Sequence, residues 1–158
     1  MIGRRTAGDC IELPARPWHH VREDKTPRTG RWHNQVMPTV AVIGASNDRR
    51  KFGNKALRAF LGKGYRVIPI NPTETQVEGI PTYASVLDVP ESIEMATVYV
   101  QPEVGVRLLH EFSEKKIAKI WINPGADSPE LLAEARRLKL NVVAACSIIE
   151  IGQDPSSL

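Results

Sequence analysis

From residue 37 onward, short continuous apolar runs alternate along the chain with longer segments whose apolar residues have helical spacing. Five of the short runs are rich in β-branched residues, and the first four end close to Gly, Pro or Asn, which is typical of buried strands. These predicted strands are 39–44, Arg66–Ile70, Thr97–Val100, Lys119–Ile122 and 141–146. The regular alternation with short connections predicts parallel strands that are joined by right-handed crossovers.

Three intervening segments repeat apolar residues at the spacing of an amphipathic helix. Their apolar positions are Ala56, Leu57, Phe60 and Leu61; Val104, Leu108 and Phe112; and Leu131, Leu132, Ala135 and Leu138. Ser128-Pro129-Glu130 is predicted to begin the third helix, because Ser caps, Pro fits the first turn and Glu faces the positive end of the helix dipole. We therefore predict the fold class α/β: one doubly wound, mostly parallel, five-stranded Rossmann-like sheet.

Residues 1–36 show neither the strand period nor the helix period. They hold seven Lys or Arg against four Asp or Glu, so the formal net charge of +3 and the pI of about 9.0 come from this segment. We predict a disordered basic extension at 1–36 and one folded domain at 37–158. The "MPTVAVIGAS" stretch opens where order begins, so Met37 is a candidate for the true start.

Three interpretations of the extension stay open. The first is an extension without a function of its own. The second is a basic arm for nucleic acid, against which its acidic residues and short length argue. The third is a metal site from His19, His20 and His33, although no partner ligands follow at a fixed spacing.

Length and composition set limits on the protein class. The 158 residues can enclose one core. No apolar run reaches the ~20 residues of a membrane span, and the N-terminus lacks the apolar region of a signal peptide. The two cysteines, Cys10 and Cys146, indicate neither a disulfide framework nor a zinc site. We therefore expect a cytoplasmic protein without membrane association.

The loop after the first strand carries the most informative chemistry. In an open parallel sheet, ligands bind beyond the carboxyl ends of the strands, and a helix N-terminus offers free N–H groups to a phosphate. The candidate phosphate turn is Gly44, Ala45, Ser46 and Asn47, followed by the cations Arg49, Arg50 and Lys51. Seven of the fourteen Lys and Arg of residues 37–158 lie between Arg49 and Arg66, and no acid lies between Asp48 and Glu74.

The other strand ends supply candidate walls of the same site. They are Asn71-Pro72, then Val100, Gln101 and Pro102, then Asn123, Pro124 and Gly125. Proline fixes the backbone and removes a donor, so these loops are predicted to give the site its shape.

Two features that the sequence lacks limit the range of candidate ligands. Sites for NAD place an Asp or Glu at the end of the second strand, where this chain reads "PINP". The G-x-G-x-x-G fingerprint is also incomplete, because Ser46 stands at the second glycine position. With the added cations, this pattern indicates a ligand with more phosphate than NAD, either NADP or coenzyme A.

The stretch from about Thr39 to Ile151 resembles the CoA-binding domain family, whose members include small stand-alone Rossmann proteins and the domain that opens the alpha subunit of succinyl-CoA synthetase. The resemblance is carried by "VAVIGAS", "GYRVIPINP", "GIPTYASVLDVP", "VYVQPE", "IWINPGA" and "VVAACSIIE". One departure is Glu74, near a position that is basic in the synthetase. Another is Asn123-Pro124, where many stand-alone members carry Gln.

The resemblance implies CoA bound across the strand ends. Gly44 to Asn47 would form the phosphate turn, with Arg49 or Arg50 near the phosphates. Asn71-Pro72 and Val100 to Pro102 would flank the adenosine and pantetheine, and the "NPG" loop at 123–125 would lie at the thiol end.

The sequence offers no catalytic group. The synthetase needs a phosphorylatable histidine on a second domain, whereas His110 lies inside a predicted helix and Ser46 has no positioned base. We therefore expect non-catalytic binding of coenzyme A or an acyl-CoA, in a carrier, a sensor or a subunit with a protein partner. An NADP-dependent oxidoreductase or another nucleotide-binding protein stays as the alternative. Cys146 is interpreted as a buried core residue, or as a thiol able to form a mixed disulfide with CoA.

Overall fold

The computed structural model describes residues 37–158, and the predictions for residues 1–36 lie outside the described residues. The strands are β1 (Thr39–Ile43), β2 (Arg66–Ile70), β3 (Gln76–Val77), β4 (Ile80–Pro81), β5 (Met95–Val98), β6 (Lys119–Ile122) and β7 (Val142–Ala144). The α-helices are α1 (Phe52–Gly62), α2 (Pro102–Glu114), α3 (Pro129–Arg137) and α4 (Ser147–Glu150). Five strands form a parallel sheet in the order β2-β1-β5-β6-β7, which confirms the predicted fold class.

Helices cover both faces of the sheet, so the side chains of β1 point alternately into two cores. Ala41 and Ile43 face the core that α2 and α3 cover, whereas Val40 and Val42 face the core of α1 and α4. The strand order reverses between β1 and β5, so α1 and α2 diverge to opposite faces there. A crevice at this switch point is where ligands bind in open α/β sheets.

Besides β1, which ends one residue early at Ile43, two strands end earlier than the sequence predicted. β5 covers Met95–Val98, since these four residues pair with β1 and β6 and Val100 does not. Tyr99 adds one last ladder bond, from its N–H to the Ile43 carbonyl at 3.0 Å, and the chain then turns into α2. β7 covers only Val142–Ala144, and Cys146 is already the N-cap of α4. Both changes move residues from strands into the loops that border the crevice.

The antiparallel pair β3–β4 was not predicted. Each strand has two residues, which is too short for an alternation to show. Glu78 and Gly79 connect them with positive φ angles of 49° and 78°, as the tight turns of hairpins require. This hairpin places Glu74 and Glu78 next to the loop that follows β1.

The helix starts follow the sequence signals. The hydroxyl of Ser128 accepts a hydrogen bond from the Leu131 amide at 3.1 Å, and Pro129 takes the first helical position, which confirms the predicted start of α3. Within residues 37–158, no helix has the length and apolar character to cross a membrane.

Candidate functional site

A cavity of about 670 Å³ opens at the carboxyl ends of β1, β5, β6 and β7. Its volume lies in the range of small-molecule sites. The lining residues are Gly44, Lys51, Phe52, Gly53, Tyr99, Val100, Gln101, Asn123, Pro124, Gly125, Ala126, Cys146, Ile149 and Pro155. Every loop after one of these four strands contributes to the wall, as expected for a site at the switch point.

The structure brings together about half of the residues that the sequence singled out. The cavity is lined by Gly44, Lys51, Val100, Gln101, Asn123, Pro124 and Gly125. The remaining candidates, which do not line it, are Ala45, Ser46, Asn47, Arg49, Arg50, Asn71, Pro72 and Pro102. Sequence reasoning missed Phe52, Gly53, Tyr99, Ala126, Ile149 and Pro155 as wall residues. Of these, Gly53 had one indication in the sequence, because it is the first glycine after Gly44.

The turn after β1 and the first turn of α1 touch each other. A Cβ atom on Gly53 would lie 2.2 Å from the Gly44 carbonyl oxygen, a distance that no side chain allows. Gly44 itself has a φ of +82°, which favours glycine. The two glycines therefore let the helix start sit directly against the end of the strand.

This contact leaves donors at the cavity wall. Within residues 37–158, the amide N–H groups of Phe52 and Gly53 have no acceptor, as is usual for the first turn of a helix. Lys51 precedes them as the N-cap residue and lies beyond 4.0 Å of every carboxylate of the described chain. Two amide donors and one free cation thus meet at one end of the cavity.

The other two cations of the loop are held by carboxylates. Arg49 donates to Glu78 from Nε at 2.9 Å and from Nη2 at 2.7 Å, and Arg50 donates to Asp48 twice at 3.0 Å. No acidic residue lies between Asp48 and Glu74 in the sequence. The β3–β4 hairpin nevertheless places Glu78, which follows Glu74, against Arg49. Lys51 is therefore the available charge of this loop at the cavity.

Several predicted residues build the loop itself. The Asn54 side chain is fully buried and donates to the Ser46 carbonyl at 2.8 Å and to Glu78 at 2.9 Å. The Asn47 amide donates to Glu74 and to the Gln76 carbonyl, at 2.9 and 2.7 Å. Asn71 donates to the Ala45 carbonyl at 2.7 Å. These bonds fix the path of the turn after β1 between α1, β2 and the hairpin.

A buried polar cluster forms the opposite part of the wall. Asn123 donates to Thr97 Oγ1 at 2.8 Å and accepts from the Ser147 amide at 2.8 Å. The Ser147 hydroxyl lies 2.7 Å from Thr97 Oγ1 and 2.9 Å from the Tyr99 hydroxyl. Burial raises the pKa of Tyr99 to about 12, against the lowering effect of its hydrogen bond with Ser147. Tyr99 therefore stays protonated at neutral pH.

We expect the loop to lose stability in acid through Glu78. Hydrogen bonds from Arg49 and Asn54 lower the Glu78 pKa from 4.5 to about 2. In the unfolded chain the carboxyl takes up its proton near pH 4.5, so the stabilisation is complete above that pH and is lost as pH falls towards 2. Glu78→Gln should flatten the pH dependence of urea unfolding between pH 5 and 2.

The matched control is Glu114→Gln, at the exposed end of α2, which makes no ion pair within residues 37–158. It should keep the pH dependence of the wild type. If Glu78→Gln follows the wild-type curve as closely as Glu114→Gln does, the Arg49–Glu78 contact contributes nothing to folding.

A match to a known protein family shows to which family this chain belongs. Residues 38–152 match the family model described as CoA binding domain. The chain belongs to the CoA-binding domain family. The resemblance drawn from the sequence is thereby confirmed over nearly the whole of the described chain.

Relatives of this CoA-binding domain include much longer proteins. The alpha subunit of ADP-forming acetate–CoA ligase II from Pyrococcus furiosus is 33% identical over 84 residues, which are 52% of this chain and 18% of that subunit. The ADP-forming acetate–CoA ligase of Methanocaldococcus jannaschii is 40% identical over 82 residues, 50% of this chain and 11% of that ligase. The matched region thus spans less than a fifth of either ligase.

Solved structures share the fold of this CoA-binding domain. A conserved hypothetical protein from Pyrococcus furiosus superposes with a TM-score of 0.67 and 31% identity over 72% of this chain and 99% of that chain. The dinucleotide forming acetyl-coenzyme A synthetase 1 of Ca. Korarchaeum cryptofilum, in complex with phosphate and ADP, gives a TM-score of 0.60 and 26% identity, over 68% of this chain and 25% of that chain.

Proposed function

We propose that this domain binds coenzyme A, or an acyl-CoA, in the cavity at the strand ends, without catalysis of its own. The observation that carries the proposal is the junction of Gly44 with Gly53, which leaves two amide donors and Lys51 at the wall of a cavity of about 670 Å³. Membership of the CoA-binding domain family supports the same ligand.

The donors at Phe52 and Gly53 suit a phosphate group. Amide N–H groups at a helix start point along the positive end of the helix dipole and favour anions. Lys51 adds a full positive charge at the same wall. The phosphates of CoA would therefore lie at this end, and Arg49 could join them only by leaving Glu78.

The rest of the wall suits an uncharged, partly apolar group such as pantetheine. Phe52, Val100, Pro124, Ile149 and Pro155 provide apolar surface around few polar side chains. The loops at Gln101 and Asn123 add hydrogen-bonding groups among them. A long ligand with a phosphate-rich end and an apolar end matches this division.

We infer a role as a carrier, a sensor or a subunit that works with a protein partner. The relative from Pyrococcus furiosus is an alpha subunit of a ligase, so in that protein a related domain works inside a larger assembly. In the described residues, His110 lies on α2 beside Glu134, 3.1 Å away, and outside the cavity wall. His110 is therefore not positioned to react with a ligand in the cavity, which supports a binding role without catalysis.

A thermal-shift panel tests the proposal. Purified protein would be heated with CoA, dephospho-CoA, NADPH, NADH and ATP in turn. A ligand at about 100 times its Kd stabilises by roughly 2.7 kcal/mol, which is a shift of several degrees for a domain of this size. We expect the largest shift with CoA. A shift with NADPH alone would replace this proposal with an NADP-dependent oxidoreductase, and no shift with any of the five would refute nucleotide binding.

Lys51 should contribute to the affinity for CoA. Lys51→Ala removes the free cation at the cavity wall and is expected to weaken CoA binding about tenfold, which corresponds to one charge-assisted hydrogen bond. The loss should shrink at high salt, because the contact is exposed to screening. Isothermal titration calorimetry at low and high salt measures both effects.

The matched control is Lys63→Ala, at the other end of α1. It should leave the affinity for CoA unchanged. Equal affinities for Lys51→Ala and the wild type would show that the phosphates lie elsewhere.

A further inference from the structure

Three hydroxyl groups form a chain from a buried asparagine to the cavity. Asn123 donates to Thr97 Oγ1 at 2.8 Å, Thr97 Oγ1 lies 2.7 Å from Ser147 Oγ, and Ser147 Oγ lies 2.9 Å from the Tyr99 hydroxyl. Thr97 and Ser147 are fully buried, whereas Tyr99 is half-buried and lines the cavity. The chain therefore connects the inside of the sheet with the ligand space.

The direction of these hydrogen bonds follows from counting protons. The Asn123 carbonyl oxygen accepts from the Ser147 amide at 2.8 Å, so its NH₂ group is the donor towards Thr97. Thr97 Oγ1 therefore accepts from Asn123, and its own proton needs an acceptor because a buried donor without a partner is costly. Among residues 37–158, the acceptor within hydrogen-bond distance of Thr97 Oγ1 is Ser147 Oγ.

The same reasoning assigns the hydroxyl proton of Ser147 to the hydrogen bond with Tyr99. Ser147 accepts from Thr97, so its hydroxyl proton is directed to the Tyr99 oxygen. Tyr99 then accepts inside the protein and keeps its own proton for a partner in the cavity. Successive hydroxyl bonds polarise one another, which makes the last hydroxyl a better donor.

The surroundings of this donor are apolar. Cys146, the N-cap residue of α4, and Ile149 within α4 line the same cavity as Tyr99, and so does Pro155. Ile149 is a large side chain that is 61% exposed. One oriented hydroxyl beside exposed apolar side chains suits a carbonyl oxygen that is attached to a hydrocarbon group.

We propose that Tyr99 donates a hydrogen bond to the carbonyl oxygen of an acyl thioester, so that the domain selects acyl-CoA over free CoA. The inference rests on the proposed function, because it needs the CoA moiety in this cavity. Tyr99 is then a specificity-determining residue, and Thr97, Ser147 and Asn123 are positioning residues that set the direction of its proton.

The test compares three probes by isothermal titration calorimetry: CoA, acetyl-CoA and S-ethyl-CoA. S-ethyl-CoA has about the size of acetyl-CoA but lacks the carbonyl oxygen. For the wild type we expect acetyl-CoA to bind about tenfold more tightly than S-ethyl-CoA, as one good hydrogen bond to a buried group gives. Tyr99→Phe should bind the two equally and keep the wild-type affinity for S-ethyl-CoA.

Tyr65→Phe serves as the matched control, because Tyr65 packs edge-on against Phe60 next to the amino end of β2. It should keep the tenfold preference. Equal binding of acetyl-CoA and S-ethyl-CoA by the wild type would overturn the inference and leave CoA binding intact. A Tyr99→Phe loss that is the same for all three probes would also overturn it, since the hydroxyl would then contact the pantetheine. Failure of all three probes to bind would refute the proposed function itself.

Discussion

Gly53→Ala is expected to lower the free energy of unfolding by about 3 kcal/mol and to abolish CoA binding. The new Cβ would lie 2.2 Å from the Gly44 carbonyl oxygen and 3.1 Å from its carbon, and both are backbone atoms that cannot rotate away. The helix start must therefore move off the strand end, at a cost at the upper end of the overpacking range. Moving it also displaces the amide donors of Phe52 and Gly53.

Thermal unfolding measures the first effect as a drop of roughly 10 °C in Tm, and calorimetry with CoA measures the second. Gly62→Ala is the matched control in the same helix, because a Cβ there meets no atom within 4 Å. It should be neutral or stabilising, since alanine is the better helix former. If Gly53→Ala behaves like Gly62→Ala, the close contact between α1 and the β1 turn does not exist.

Asn123→Ala should destabilise the domain by about 3 kcal/mol. The side chain is buried and joins three elements: it donates to Thr97 and the Val98 carbonyl, and it accepts from the Ser147 amide. Its removal leaves the buried Ser147 N–H without an acceptor and Thr97 without its donor, and each such orphan costs about 1–3 kcal/mol. Urea unfolding gives the change directly.

The control for this substitution is Asn141→Ala. Asn141 is exposed and donates one hydrogen bond, to the Ala118 carbonyl at 3.1 Å. Its loss should change stability by less than about 1 kcal/mol. A similar small change for Asn123→Ala would mean that the polar cluster adds nothing to the fold, and the direction of its hydroxyl protons would lose its basis.

Local patterns were sufficient to predict the main elements of the fold. β1 and β2 are apolar runs bounded by Gly44 and Asn71, and Ser128 caps α3 as its position indicates. These signals act within a few residues, so a single sequence carries them. Parallel pairing then follows from the alternation of strands and helices.

The site was harder to predict because its key contacts join residues far apart in sequence. Arg49 looked free, yet Glu78 reaches it across 29 positions through a hairpin that is too short to show a pattern. Tyr99 was taken for part of a strand, and its use depends on Ser147, 48 positions away. α4 has four residues and no helical period, so Ile149 gave no signal as a wall residue.

The central claim is that CoA binds at the carboxyl ends of the strands, and amide NMR during a titration with CoA tests it most directly. We predict that the largest shift changes fall on the amides of Phe52 and Gly53, with further changes at Gly44, Tyr99 and Asn123. Amides at the amino end of the sheet, such as those of Arg66 and Lys119, should stay unchanged. Saturable shifts at the amino end instead, or no shifts at all, would contradict the account.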